Sequence, residues 1–175
     1  RDGINANSAI VAINGDFYGA RENGYVIRNG VLFQDTVGNK SQDLAIYYDG
    51  SFEAVFEEEI SAKELLDKGV RHIFSFGPAL VENGEIVVTK KQEVAHAMAS
   101  NPRTAIGYIE DGHYILLVSD GRTDESRGLK LYELALFMQA MGVKEAYNLD
   151  GGGSSAMVFD GKIINKPTEI DIYMK

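Results

Sequence analysis

"RTAIGYIEDGHYILLVSDG", residues 103–121, decides how the rest of the chain is read. Asp111-Gly112 supplies the positive φ angles that a two-residue turn requires, and it sits between two runs rich in apolar and β-branched residues, 104–110 and 113–119. The stretch is therefore a β-hairpin. The same punctuation recurs at Asn29-Gly30, Asp49-Gly50, Asn83-Gly84 and Asp160-Gly161. It predicts four further pairs: 25–27 with 31–34, 44–48 with 52–56, 79–82 with 85–89, and 155–159 with 162–164. Much of the chain reads as antiparallel sheet, with the hairpins as parts of one sheet system.

Two helices interrupt this pattern. Ser61 to Lys68 starts with an N-cap serine, carries Glu64 three residues on to complete a capping box, and stops before Gly69. It is expected to be short and peripheral. The second helix, Gly128 to Met141 with Gly142 as its stop, places Leu131, Leu134, Ala135 and Met138 on one stripe. Leu129, Leu136, Phe137 and Ala140 load its other side, so it is expected to be covered on most sides. A strand over 145–149 follows, and the order strand, helix, strand across 114–149 predicts a right-handed parallel crossover. The fold class is α+β: a mixed, largely antiparallel sheet built from hairpins, with a buried helix and a short peripheral helix packed on it.

The 175 residues, with 45% hydrophobic and 25% charged, suit one soluble globular domain spanning 1–175. A net charge of -9 argues against nucleic acid as a partner, because phosphate backbones attract basic faces. An anionic ligand must then be held by local positive groups. The absence of cysteine excludes disulfides and thiolate metal sites. No apolar run reaches membrane-spanning length and no signal peptide is visible, so no membrane contact is expected from this segment. The chain opens at Arg1 without a methionine, and a fragment or processed product is expected.

Chemistry concentrates beyond the ends of the predicted strands. "NLDGGGSS" at 148–155 follows a strand, and its glycines leave the main chain bare, either as an anion-binding nest or as a tight corner between strands. It is not a Walker loop, since no lysine follows the last glycine and a strand rather than a helix comes next. "NPRTAIGY" at 101–108 sets Arg103 at a strand entrance, where its planar fork suits a phosphate or carboxylate. Asp120 and Arg122 close the strand at 113–119. "AINGDFYG" at 12–19 repeats the arrangement with Asn14 and Asp16, and with Phe17 and Tyr18 as sugar-stacking or core aromatics. Glu133 lies on the helix face of Leu129, Leu136 and Phe137; if that face is covered, burial raises its pKa and makes it an acid. His72, His96 and His113 show no metal-binding spacing. No cofactor is expected; a divalent cation such as calcium has ligands on offer in Asp16, Asp120 and Asp150, although no EF-hand loop is present. Nor does a nucleophile elbow surround Ser154.

Taken in order, "AINGDFY", "FGPALVENGE", "NPRTAIGY", "LLVSDGR", "GLKLYELALFMQAMG" and "AYNLDGGGSSAMVFDGKIIN" resemble the phosphodiester glycosidase family over nearly the whole chain. The resemblance implies hydrolysis of a sugar-1-phosphodiester, such as one of α-N-acetylglucosamine, at the anomeric carbon. It implies Asp120, Glu133 and Asp150 as the catalytic carboxylates. Asn14, Asp16, Arg103, Arg122, Asn148, Gly151, Gly152, Gly153, Ser154 and Ser155 would contact the substrate. It also implies an extracytoplasmic location, a phosphorylated glycan as partner, and missing strands before Arg1. The family often has glycine where this chain has Asp16, which leaves the role of Asp16 open. Two other readings fit the same residues: a metal-dependent phosphodiesterase breaking P–O, and a non-catalytic envelope module that binds phosphorylated glycans.

Overall fold

A computed structural model describes residues 9–16, 22–38, 42–94 and 100–168. In chain order the elements are β1 (Val11–Ile13), β2 (Val26–Arg28), β3 (Val31–Gln34), β4 (Gln42–Tyr47), β5 (Phe52–Phe56), α1 (Ala62–Asp67), β6 (Val70–Phe74), β7 (Ala79–Glu82), β8 (Glu85–Ile86), β9 (Arg103–Glu110), β10 (His113–Ser119), α2 (Leu131–Ala140), β11 (Glu145–Leu149), β12 (Met157–Phe159) and β13 (Lys162–Ile163). A single 3₁₀ turn spans Gly152–Ser154.

All five predicted hairpins form: β2–β3, β4–β5, β7–β8, β9–β10 and β12–β13. The expected single sheet system does not. Among the described residues the strands form four sheets, in the orders β1-β12-β13, β10-β9-β11-β7-β8, β2-β3 and β5-β4-β6. Every described ladder is antiparallel, so the sheet is not mixed. The predicted crossover forms in a split arrangement: β10 and β11 run parallel in one sheet, joined through α2, with β9 between them and antiparallel to both. Strand β6 was not predicted. It has no turn of its own and joins β4 across more than twenty residues, a contact that local sequence does not announce.

Alternation along the strands sorts the core into layers. Ala105 and Ala146 face α2, where Leu131, Leu134, Ala135 and Met138 bury their stripe. Tyr147 and Leu149 face the opposite way and meet Leu44 and Phe52 of the second sheet. The far side of that sheet, with Ala45, Val55 and Ile73, is closed by Ala62 and Leu65 of α1 and by Tyr25 and Ile27. The order is α2, five-stranded sheet, three-stranded sheet, then α1 beside the β2–β3 hairpin.

Helix α1 starts as predicted, with Ser61 and Glu64 forming a reciprocal capping box. Helix α2 is shorter than expected and is not buried on most sides: Leu136 and Phe137 are 46% and 56% exposed. Its late start has a local cause. Leu129 exchanges main-chain hydrogen bonds with Asn101, and Gly128 is at φ 86° with its Cα so close that a Cβ would lie 2.3 Å from the Asn101 carbonyl. Residues 128–129 therefore clamp the entrance of β9 and are unavailable to the helix. Among the described residues, no helix is long and apolar enough to cross a membrane.

Candidate active site

Strand register brings the separated motifs together. Arg103 opens β9 opposite Ser119, the last residue of β10, and Thr104 lies opposite Leu149, the last residue of β11. Asp120 and Asp150 thus follow the two strands that flank the β9 entrance, one on each side. The glycine corner docks on the same place. Gly152 N–H donates to the Pro102 carbonyl at 2.9 Å.

Two of the three glycines are explained by close contacts. A Cβ on Gly151 would lie 2.9 Å from the Pro102 carbonyl oxygen, so no larger residue fits without moving main chain. Gly152 adopts φ +61°, and a Cβ there would lie 3.2 Å from an Arg122 guanidinium nitrogen. Among the described residues, the Gly151 and Gly153 N–H groups take no main-chain acceptor.

Arg103 is not an open fork. It is only 3% exposed; its Nε donates to the Leu129 carbonyl at 2.9 Å and its Nη2 donates to Glu93 Oε2 at 2.6 Å. Burial lowers its pKa, Glu93 pulls it back up, and nearby Arg122 lowers it again. The neighbouring Arg122 is exposed and left-handed at φ 56°, and donates from Nε and Nη2 to Asn101 Oδ1 at 3.0 and 2.9 Å. Positive charge at the corner therefore comes from Arg122 at the surface, while Arg103, its charge met by Glu93, serves as a buried strut.

A hydrogen-bonded chain runs across the other face of β9. Thr104 Oγ1 donates to Asn14 Oδ1 at 2.7 Å and lies 3.3 Å from Ser155 Oγ. Asn14 Oδ1 also accepts from Ala156 N–H, and its Nδ2 donates to the Asp150 carbonyl at 2.6 Å. Asn165 extends the chain, donating from Nδ2 to both Ser155 O and Asp120 Oδ1 at 2.9 Å. Asn14, Thr104, Asp120, Asp150, Ser155 and Asn165 form one unit.

Other candidates lie elsewhere or serve the scaffold. Asp16 accepts from Arg28 at 2.9 Å and from Ser75 N–H, which ties it to β2 and β6. Asn148 is fully buried; its Nδ2 donates to the Gly77 carbonyl at 2.8 Å, and its Oδ1 has no partner among the described residues. Glu133 accepts from Lys130 N–H at 2.9 Å and Arg127 at 2.7 Å, on a helix face that solvent reaches, so the covered face its acid role requires is not formed. Ser154 is exposed. Phe17, Tyr18 and His96 lie outside the described residues. Among the described residues, no three carboxylate or imidazole side chains converge to hold a metal, and the calcium ligand set with Asp16 does not assemble.

Over residues 7–172 the sequence matches the phosphodiester glycosidase family. The chain belongs to that family. It is 34% identical to an uncharacterized SPbeta prophage-derived protein, YomE, of Bacillus subtilis (strain 168), a match covering 90% of this chain and 25% of that protein. It is 30% identical to the N-acetylglucosamine-1-phosphodiester α-N-acetylglucosaminidase of Mus musculus, over 91% of this chain and 33% of that protein. The solved catalytic domain of the zebrafish enzyme of the same name, auto-inhibited by its pro-peptide, superposes with a TM-score of 0.72 at 30% identity, covering 91% of this chain and 56% of that one. This phosphodiester glycosidase chain thus spans a quarter to a third of the curated relatives it matches.

Sequence reasoning missed Glu93, Asn101, Thr104 and Asn165. Thr104 and Asn101 stood inside a quoted motif whose arginine drew the attention, and Asn165 closed the last motif. For Glu93 no local signal exists, because it lies ten residues from Arg103 and the pairing forms only in the folded chain.

Proposed function

We propose that this chain is a hydrolase that breaks the anomeric C–O bond of a sugar-1-phosphodiester and releases free sugar. The observation that carries the reading is the register of β9 with its two neighbours, which sets Asp120 and Asp150 on either side of a glycine corner that carries positive charge. Two carboxylates flanking one bond supply the nucleophile or base and the acid that glycoside hydrolysis requires. The phosphate binds at the corner, where Arg122 and the Gly151 and Gly153 amides offer charge and donors. Arg103 holds that corner's floor rather than touching substrate, and Ser154 lies within reach of the sugar at the rim. A phosphate leaves readily, so electrostatic stabilisation by arginine takes over much of a general acid's work.

The names of the mouse and zebrafish relatives support α-N-acetylglucosamine-1-phosphodiesters as the first substrates to assay. Incubation with the methyl phosphodiester of α-N-acetylglucosamine 1-phosphate is expected to release reducing sugar. Asp120→Asn and Asp150→Asn are each expected to lose on the order of a hundredfold in kcat, the scale for a positioned acid or base. Intact affinity with no release of sugar from any member of a sugar-1-phosphodiester panel would point instead to a binding module.

A further inference from the structure

We infer that Asn165 is a positioning residue that clamps one oxygen of Asp120 and leaves the other for the reaction; this rests on the reading of Asp120 as a reacting carboxylate. Asn165 lies just past β13 and uses its whole amide. Its Oδ1 accepts from Met157 N–H at 2.8 Å, while its Nδ2 donates to Ser155 O and to Asp120 Oδ1, both at 2.9 Å. One carbonyl meets a donor and one amino group meets two acceptors, so the network admits a single orientation of the amide.

The next residue adds to the clamp. Lys166 N–H donates to the same Asp120 Oδ1 at 2.9 Å. Two donors on Oδ1 fix the carboxylate plane, and Oδ2 has no hydrogen-bond partner among the described residues. Asp120 needs such a clamp, because it lies in the loop after β10, where its main chain is held by a Ser126 hydroxyl at 2.9 Å. The same asparagine grips Ser155 and Met157, at the exit of the glycine corner. It therefore couples the orientation of Asp120 to the position of the corner that receives the phosphate. A reacting group displaced by about 1 Å loses on the order of a hundredfold in rate, which is the cost the clamp prevents.

The Lys166 ammonium interacts with Asp120 and is itself paired with Glu125, and Arg122 lies two residues further along the same loop. Lys166 donates to Glu125 at 2.5 Å, and its pKa is raised first by that bond and further by Asp120. Lys166 is mostly exposed and solvent-screened, so the short main-chain and amide contacts set the orientation of Asp120.

Asn165→Asp is the decisive variant. It keeps size and the acceptor for Met157 N–H, removes the donor, and sets a second carboxylate against Asp120. Asn165→Ala removes both interactions. Carboxyl-labelled aspartate NMR, with Asp120 assigned from the Asp120→Asn spectrum, reads the contact directly and without turnover. The Asp120 carboxyl resonance is expected to shift in both variants, further in Asn165→Asp, since each loses a donor on Oδ1 and one gains a like charge beside it. With the N-acetylglucosamine methyl phosphodiester as probe, kcat is expected to fall on the order of tenfold to a hundredfold while KM stays within about twofold. An unmoved Asp120 resonance in a folded Asn165→Asp protein overturns the inference. So does a moved resonance with unchanged kcat, and so does failure of both variants to fold, which would make Asn165 a purely structural post. Should Asp120→Asn itself turn over normally, the catalytic reading of Asp120 falls, and the resonance still reports separately on the clamp.

Discussion

Arg103 carries its charge where water barely reaches, and its partner Glu93 is only 20% exposed. Removing one member of such a pair leaves the other charge buried and uncompensated, which costs about 3–5 kcal/mol, whereas replacing both with apolar residues is often neutral. Arg103→Met is therefore expected to lower stability by about that amount, and Arg103→Met with Glu93→Met to recover most of it, as read by urea unfolding. Additive losses in the double variant would show that the pair is not coupled. This residue also marks a limit of sequence reading. The motif placed Arg103 at the right strand entrance, but only the folded chain shows that a carboxylate and a carbonyl already occupy its fork.

Helix α2 tests the remaining candidate acid. Lysine has no acceptor to offer as a cap, so the helix start rests on Glu133 reaching back to Lys130 N–H, half of a capping box. Glu133→Gln keeps that acceptor and is expected to leave kcat within about twofold and stability nearly unchanged. Glu133→Ala is expected to cost roughly 0.5–1 kcal/mol in a thermal melt, again with kcat preserved. A tenfold or greater loss of kcat in the folded glutamine variant would return Glu133 to the catalytic group. Elements with a local cause were the legible ones: each Asn-Gly or Asp-Gly turn gave its hairpin, and Ser61 with Glu64 gave α1. Strand β6 and the late start of α2 depend on distant partners, β4 and Asn101 respectively, and local pattern carries no trace of them.

Across the molecule, the two central sheets meet at a cleft of about 450 Å³ lined by Tyr47, Ser51, Glu53, Glu82, Asn83 and Glu145. Burial raises the Glu145 pKa, the Asn83 N–H bond opposes the rise, and Glu82 and Glu53 add to it. A carboxyl whose folded pKa exceeds its unfolded value binds more protons in the folded state, so stability falls as pH rises from the ordinary glutamate range through the folded pKa. Glu145→Gln keeps an acceptor for Asn83. It is expected to raise Tm at about pH 7 and to lose that advantage below about pH 4, where the parent is also neutral. A parent that is the more stable protein at neutral pH would contradict the assignment.

At the same scale the site was partly legible. The motifs were visible as separate words, and the convergence of Asn14, Asp120, Asp150 and the glycines follows from strand order, which no single motif encodes. Asp16 and Glu133 looked equivalent to the others in sequence; in the fold Asp16 pairs with Arg28, and Glu133 accepts from the Lys130 N–H at the start of α2. Hydrolysis of the N-acetylglucosamine methyl phosphodiester in ¹⁸O-labelled water tests the central claim most directly. Cleavage at the anomeric carbon puts the label in the released sugar and none in the phosphate; label in the phosphate would place the break at P–O and contradict the account.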